Sequence, residues 1–104
     1  MPVGHVVTFT FKANTQSESV RALSAALDEL ASETVALSYH HGADLNIRAG
    51  NADYSVAAIF EDEAAFSAYI NSASHLRVVH ELLEPHLESR SAVQFAIAPL
   101  SGRS

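Results

Sequence analysis

The chain has no cysteine, and its six basic residues are outnumbered by twelve acidic ones. The first shortage excludes disulfides and thiolate chemistry and fits a reducing compartment. The second leaves a formal charge of −6 with no cluster of Lys or Arg, which argues against a nucleic-acid or anionic-membrane surface, because such binding rests on gathered cations. No apolar run approaches the length of a membrane span, and the opening MPVGHVVTFTFK lacks a charged region followed by a long apolar core. A soluble, cytoplasmic protein is expected. Also missing are a Gly-rich phosphate loop, a GxSxG elbow, a Cys/His pair, internal repeats, linkers and low-complexity segments.

What is present fits one domain, residues 1–104, with a core over about 3–98 and a polar tail over 99–104. At 104 residues and 48% hydrophobic content, such a domain folds with a modest margin that a partner subunit would widen.

Hydrophobic periodicity sets the elements. Residues 4–11 alternate, with His5, Val7, Phe9 and Phe11 on one face, which is the period of a strand. Thr15 and Glu18 stand at capping-box spacing. Val20, Leu23, Leu27 and Leu30 then recur every three or four residues, predicting a helix that ends near Glu33. A strand over 35–41 is closed by Gly42. Residues 43–53, with Gly50, Asn51 and Asp53, read as a loop of a size that often borders a site. Residues 54–60 form a third strand, and Asp62 is placed to cap a helix whose apolar stripe is Ala65, Phe66, Tyr69 and Ile70. The small residues 71–74 should break it before Leu76, Val79 and Leu83 resume a helical face up to Pro85. A last strand over 91–98 shows Val93, Phe95 and Ile97 on one side, and Pro99 and the tail SGRS end the fold.

This order predicts an α+β, ferredoxin-like β-α-β-β-α-β fold, a four-stranded antiparallel sheet with both helices on one face. The other face is expected to carry Val6, Thr8, Thr10, Ala36, Ser38, His40, Ser55, Ala57, Ile59, Ala92, Gln94, Ala96 and Ala98. None of these is Lys, Arg, Asp or Glu, so the face is expected to pack on a second copy, forming a dimeric α/β barrel.

Chemistry points to three residues. His5 lies on the apolar side of the first strand, Tyr69 on the apolar stripe of the second helix, and His75 where that helix restarts, a position that disfavours imidazolium and leaves a neutral base. Taken singly, His5 reads as a core histidine, Tyr69 as a core residue with its hydroxyl at the surface, and His75 as a local cap. Taken together they make an acid/base site without a metal: a base, a phenol for oxyanion charge and a second imidazole to polarise or orient. Val7, Phe9, Phe66 and Tyr39 are the candidate pocket walls. His40 and His41, adjacent in a strand, point to opposite faces and cannot chelate one ion. His75 and His80 are five apart, on different helix sides. His80 and Glu84 fit a surface pair, and Asp44, Asp53, Glu61 and Asp62 read as solvated charges or caps.

The segments GHVVTFTFK, HHGADL and AAFSAYINSASH resemble the stress-responsive dimeric α/β-barrel (Dabb) family over almost the whole chain, from His5 to about Phe95. The resemblance implies the same fold and a homodimer. Members include heat- and salt-stable plant proteins, olivetolic acid cyclase and a plant hydroxynitrile lyase, and the cyclase's site residues match His5, Tyr69 and His75. The cyclase's first-helix tyrosine is replaced by Ala26 or a neighbouring Ala, which would reshape the pocket, and the usual His-Pro pair ahead of the final His is replaced by Ser72 and Ala73. Two functions follow: a cofactor-free cyclase- or lyase-type enzyme acting on a small carbonyl or polyketide-like substrate, or a non-catalytic small-ligand-binding or stress-protective dimer. No motif calls for a cofactor or a metal.

Overall fold

The computed structural model describes residues 1–98; the expected end of the fold at Pro99 and the tail lie outside the described residues. Strand β1 (Val3–Phe11) leads into helix α1 (Ser17–Glu33), then strands β2 (Ser38–Ala43) and β3 (Tyr54–Phe60). Helices α2 (Glu63–Ile70) and α3 (Ala73–Val78) follow. A wide π-type turn, Val79–Leu83, and a tight turn, Glu84–His86, then lead to β4 (Leu87–Ala96). The four strands form one sheet in the order β2-β3-β1-β4, and every pairing is antiparallel. This is the split βαβ arrangement expected of the element order.

Helix α1 forms because Leu23, Leu27 and Leu30 recur on one side, and all three are buried. Each contributes about 1.5–3 kcal/mol of apolar burial. The expected capping box does not form. The cap is Gln16, without a side-chain hydrogen bond, and Thr15 Oγ1 is buried with no partner. Asp62 does cap α2, accepting from the Ala65 amide at 2.8 Å. A second clamp ties α1 to the sheet. His41 Nε2 lies 2.7 Å from Asp28 Oδ1, and its Nδ1 lies 2.7 Å from the Tyr54 hydroxyl. A carboxylate only accepts, so Nε2 carries a proton and, in the neutral ring, Nδ1 accepts from Tyr54.

Register decides which side chains share a face. Val3, His5, Val7 and Phe9 stand opposite Phe60, Ala58, Val56 and Tyr54 of β3, and these make the centre of the helix-covered face. Strand β2 begins and ends later than its composition suggests. It runs through Gly42 to Ala43, and Ala36 packs against the core instead of joining the open face.

The largest correction concerns β4. His5 pairs with Gln94, Val7 with Ala92 and Phe9 with Arg90, so Ala92 and Gln94 lie on the helix side, while Val93 and Phe95 lie on the open side. The sequence pattern suggests the reverse, because apolar residues on a strand ordinarily mark the helix-packed face. Val93 and Phe95 are instead 53% and 48% exposed. Their neighbours on that face are Val6, Thr8, Thr10, Ser38, His40, Ser55, Ala57, Ile59 and Ser91. It still carries no formal charge. Gly4 is required there by close approach: a Cβ at this position would come within 2.6 Å of the Phe95 ring, which lies across it.

Candidate active site

A cavity of about 470 Å³ opens between the β1–β4 side of the sheet and helices α1–α3. His5, Tyr69 and His75 all line it, with Val7, Phe9 and Phe66 among the apolar walls. Tyr39 is not part of the lining. It stands on β2, two strands away from β1, and touches the site only through Tyr69. The 43–53 loop contributes nothing to the wall. Its Asp44 and Asp53 are engaged locally, with the Asn46 and Phe11 amides at 3.0 and 2.8 Å.

The second helical stretch brings Tyr69 and His75 together only because it is interrupted. Six residues along an unbroken α-helix would set the two side chains about 120° apart around the axis. Here α2 stops at Ile70 and α3 begins at Ala73, and the two rings meet edge-on with centroids 4.8 Å apart. The Ser72 hydroxyl fixes the joint. It donates to the Tyr69 carbonyl at 2.9 Å and accepts from the His75 amide at 3.1 Å. One small side chain therefore connects the backbones of two candidate site residues.

His5 is buried against Phe66, with ring centroids 4.9 Å apart, and lies 6.2 Å from the Tyr69 ring. The Gln94 amide nitrogen is 3.0 Å from His5 Nδ1; it donates there, leaving Nε2 as the protonated nitrogen of the neutral ring. Sequence reasoning missed Gln94, having placed it on the opposite face. The signal that finds it is cross-strand register, which periodicity alone does not supply.

Both imidazoles have lowered pKa values. For His5 burial is the main cause, followed by the charges of His75 and Arg90. For His75 burial again leads. The nearby Ile70 carbonyl pulls the other way and Arg90 adds to the lowering. Burial, more than the helix start, keeps His75 neutral. Its Nδ1 is buried without a hydrogen-bond partner of good geometry. Tyr69 is pushed up by burial, partly offset by its 2.7 Å contact with the Tyr39 hydroxyl. Tyr39 is raised by burial and further by that contact. Either hydroxyl can donate in this contact; where Tyr39 donates, the Tyr69 proton is left for a third group. At neutral pH the site holds two neutral imidazoles and a protonated phenol.

No cluster of three or more His, Cys, Asp or Glu side chains among the described residues is arranged to hold a metal ion. His80 Nδ1 meets Glu84 Oε1 at 2.9 Å on the exposed side of the turn. None of the helices among the described residues is long and apolar enough to cross a membrane.

A ferredoxin-like domain with an open His/Tyr cavity on one side of its sheet and a charge-free face on the other is the class these features define. The chain belongs to the stress responsive A/B barrel domain (Dabb) family, whose model matches residues 3–97. A dimeric ferredoxin-like protein of unknown function from Thermobifida fusca is 32% identical, superposes with a TM-score of 0.87, and covers 93% of this chain and 92% of its own. A hydroxynitrile lyase from Passiflora edulis shares the fold at 20% identity and a TM-score of 0.80, over 93% of this chain and 94% of its own. A Dabb family protein from Mesorhizobium loti does so at 16% and 0.77, over 94% and 98%. No curated protein sequence matches the chain.

Proposed function

We propose that the protein is a homodimeric, cofactor-free enzyme that performs acid/base chemistry on a small carbonyl compound, as a lyase or a polyketide-cyclase-like catalyst. The observation that carries this reading is Tyr69 standing in one cavity between the buried His5 ring and the half-buried His75 ring, both with lowered pKa values. His75 is the general base, taking a proton from a hydroxyl or from a carbon next to a carbonyl. Tyr69 donates its hydroxyl proton toward the oxygen that gains charge, with Tyr39 donating in turn to Tyr69. His5, oriented by Gln94, polarises the substrate from the facing strand. A base held neutral by burial is suited to work near pH 7, and the cavity's size is that of a small-molecule site. The dimeric Thermobifida fusca relative and the charge-free open face support pairing through that face.

The test is turnover of a panel of cyanohydrins and linear polyketide-like thioesters by the wild type, His75→Ala and Tyr69→Phe. Turnover by the wild type that both substitutions remove is the expected result. Equal activity in all three, or none in any, leaves a ligand-binding dimer and sinks the enzyme. An ordinary His75 titration by NMR would remove the base from the mechanism.

A further inference from the structure

One cavity-lining residue is unlike the rest. Seventeen of the eighteen are aliphatic or aromatic side chains, imidazoles or the Gln94 amide; the other is Arg90, and no carboxylate is among them. Arg90 stands on β4 opposite Phe9, on the same face as Ala92 and Gln94. Among the described residues it forms no ion pair and no side-chain hydrogen bond. Among the same residues Lys12, Arg21 and Arg48 also lack an ion pair; what sets Arg90 apart is its place, exposed on the edge strand at the rim of the cavity, as the one cationic side chain of the lining. At the mouth of an apolar cavity its planar fork matches a carboxylate.

We infer that Arg90 is a specificity-determining residue that holds the anionic end of the substrate, so that the cavity takes amphiphilic carboxylates. The apolar body would lie along Phe9, Leu27 and Val78, with the carboxylate on the guanidinium. This rests on the cavity being the substrate site. A consequence follows from the charges that face the two imidazoles. Arg90 lowers the pKa of both His5 and His75, so an anion docked on it cancels part of that field and raises both. By linkage the carboxylate binds more tightly when those rings are protonated.

The experiment follows the histidine ring signals of the full chain by NMR while octanoate or octanamide is added. These ligands are matched in length and differ in charge. Octanoate is expected to bind roughly ten- to hundredfold more tightly, the range of a charge-assisted hydrogen bond, and to move the His75 titration upward, as octanamide does not. Arg90→Gln should erase the preference and leave octanamide binding unchanged, and Arg90→Lys should keep part of it. Equal binding of the two ligands, a preference that survives Arg90→Gln, or no saturable binding of either overturns the inference. Failure here is separable from failure of the catalytic reading. An ordinary His75 titration in the unliganded protein removes the base yet leaves the carboxylate preference standing. A lost preference with a low His75 pKa does the opposite.

Discussion

The two faces of the sheet distribute polarity in opposite ways. On the helix-covered face the centre is mostly apolar around the buried His5, and the edge strand β4 is polar, with Arg90 and Gln94. On the open face β4 is the greasiest strand, with Val93 and Phe95, while Val6, Ile59 and His40 stand among small and hydroxylated residues elsewhere. One strand thus lends hydrogen-bonding and charged groups to a cavity and presents an apolar surface on the other side. The contrast teaches that an apolar residue on an edge strand need not face its own core; here it faces outward, where a second copy can bury it.

If the faces are functionally separate, substitutions on one should spare the other. The largest effect is expected from His75→Ala, a loss of about 10²–10⁴-fold in turnover with no change in sedimentation. A shift toward monomer in that variant would break the separation. Phe95→Glu should do the converse: a dimer weakened by about thirtyfold or more, measured by sedimentation, with the histidine titrations of the cavity intact.

The pH dependence of stability sharpens the contrast further, because the two histidines with lowered pKa values both line the cavity. His5 and His75 have folded-state pKa values below their ordinary 6.5, so the unfolded chain binds more protons as pH falls through that value. The stability these neutral rings contribute is present above pH 6.5 and declines below it until the folded-state values are passed. The urea midpoint should therefore fall between pH 7.5 and 5, and His5→Gln combined with His75→Gln should flatten the profile. An equally steep profile in the double variant would assign the effect elsewhere.

A smaller effect is expected from Ser72→Ala. Loss of this cap costs about 0.5–2 kcal/mol of stability. It should also reduce kcat more than it raises KM, since the joint between Tyr69 and His75 loosens. The smallest is Gly4→Ala, which forces the Phe95 ring aside. The dimer should weaken a few-fold by sedimentation while turnover holds.

Much of the fold was legible in the sequence because its elements carry strong periods. The β3 boundaries, the Asp62 cap and the break after Ile70 all follow from local residue chemistry. The meeting of His5, Tyr69 and His75 required only that β1 pack under α2 and α3. What the sequence concealed depends on pairing between distant segments. Alternation says that Gln94 and Phe95 point opposite ways, but only the match of Gln94 with His5 says which way. Arg90 was hidden because the last strand, expected over 91–98, runs instead from Leu87 to Ala96. The Thr15 and Glu18 spacing misled because a capping motif proposes a helix start that the surrounding chain is free to move by a residue. Tyr39 was misplaced as a wall because facing the helices is not the same as bordering the cavity; β3 lies between its strand and β1.

The two-residue joint between α2 and α3 has a consequence for how such a protein can diversify. The separation of Tyr69 and His75 is stored in Asn71 and Ser72, not in either helix or in the sheet. Relatives that change the joint's length or stiffness would acquire a different span between phenol and imidazole while inheriting an unaltered scaffold, so new reactivities could arise there at little risk to folding.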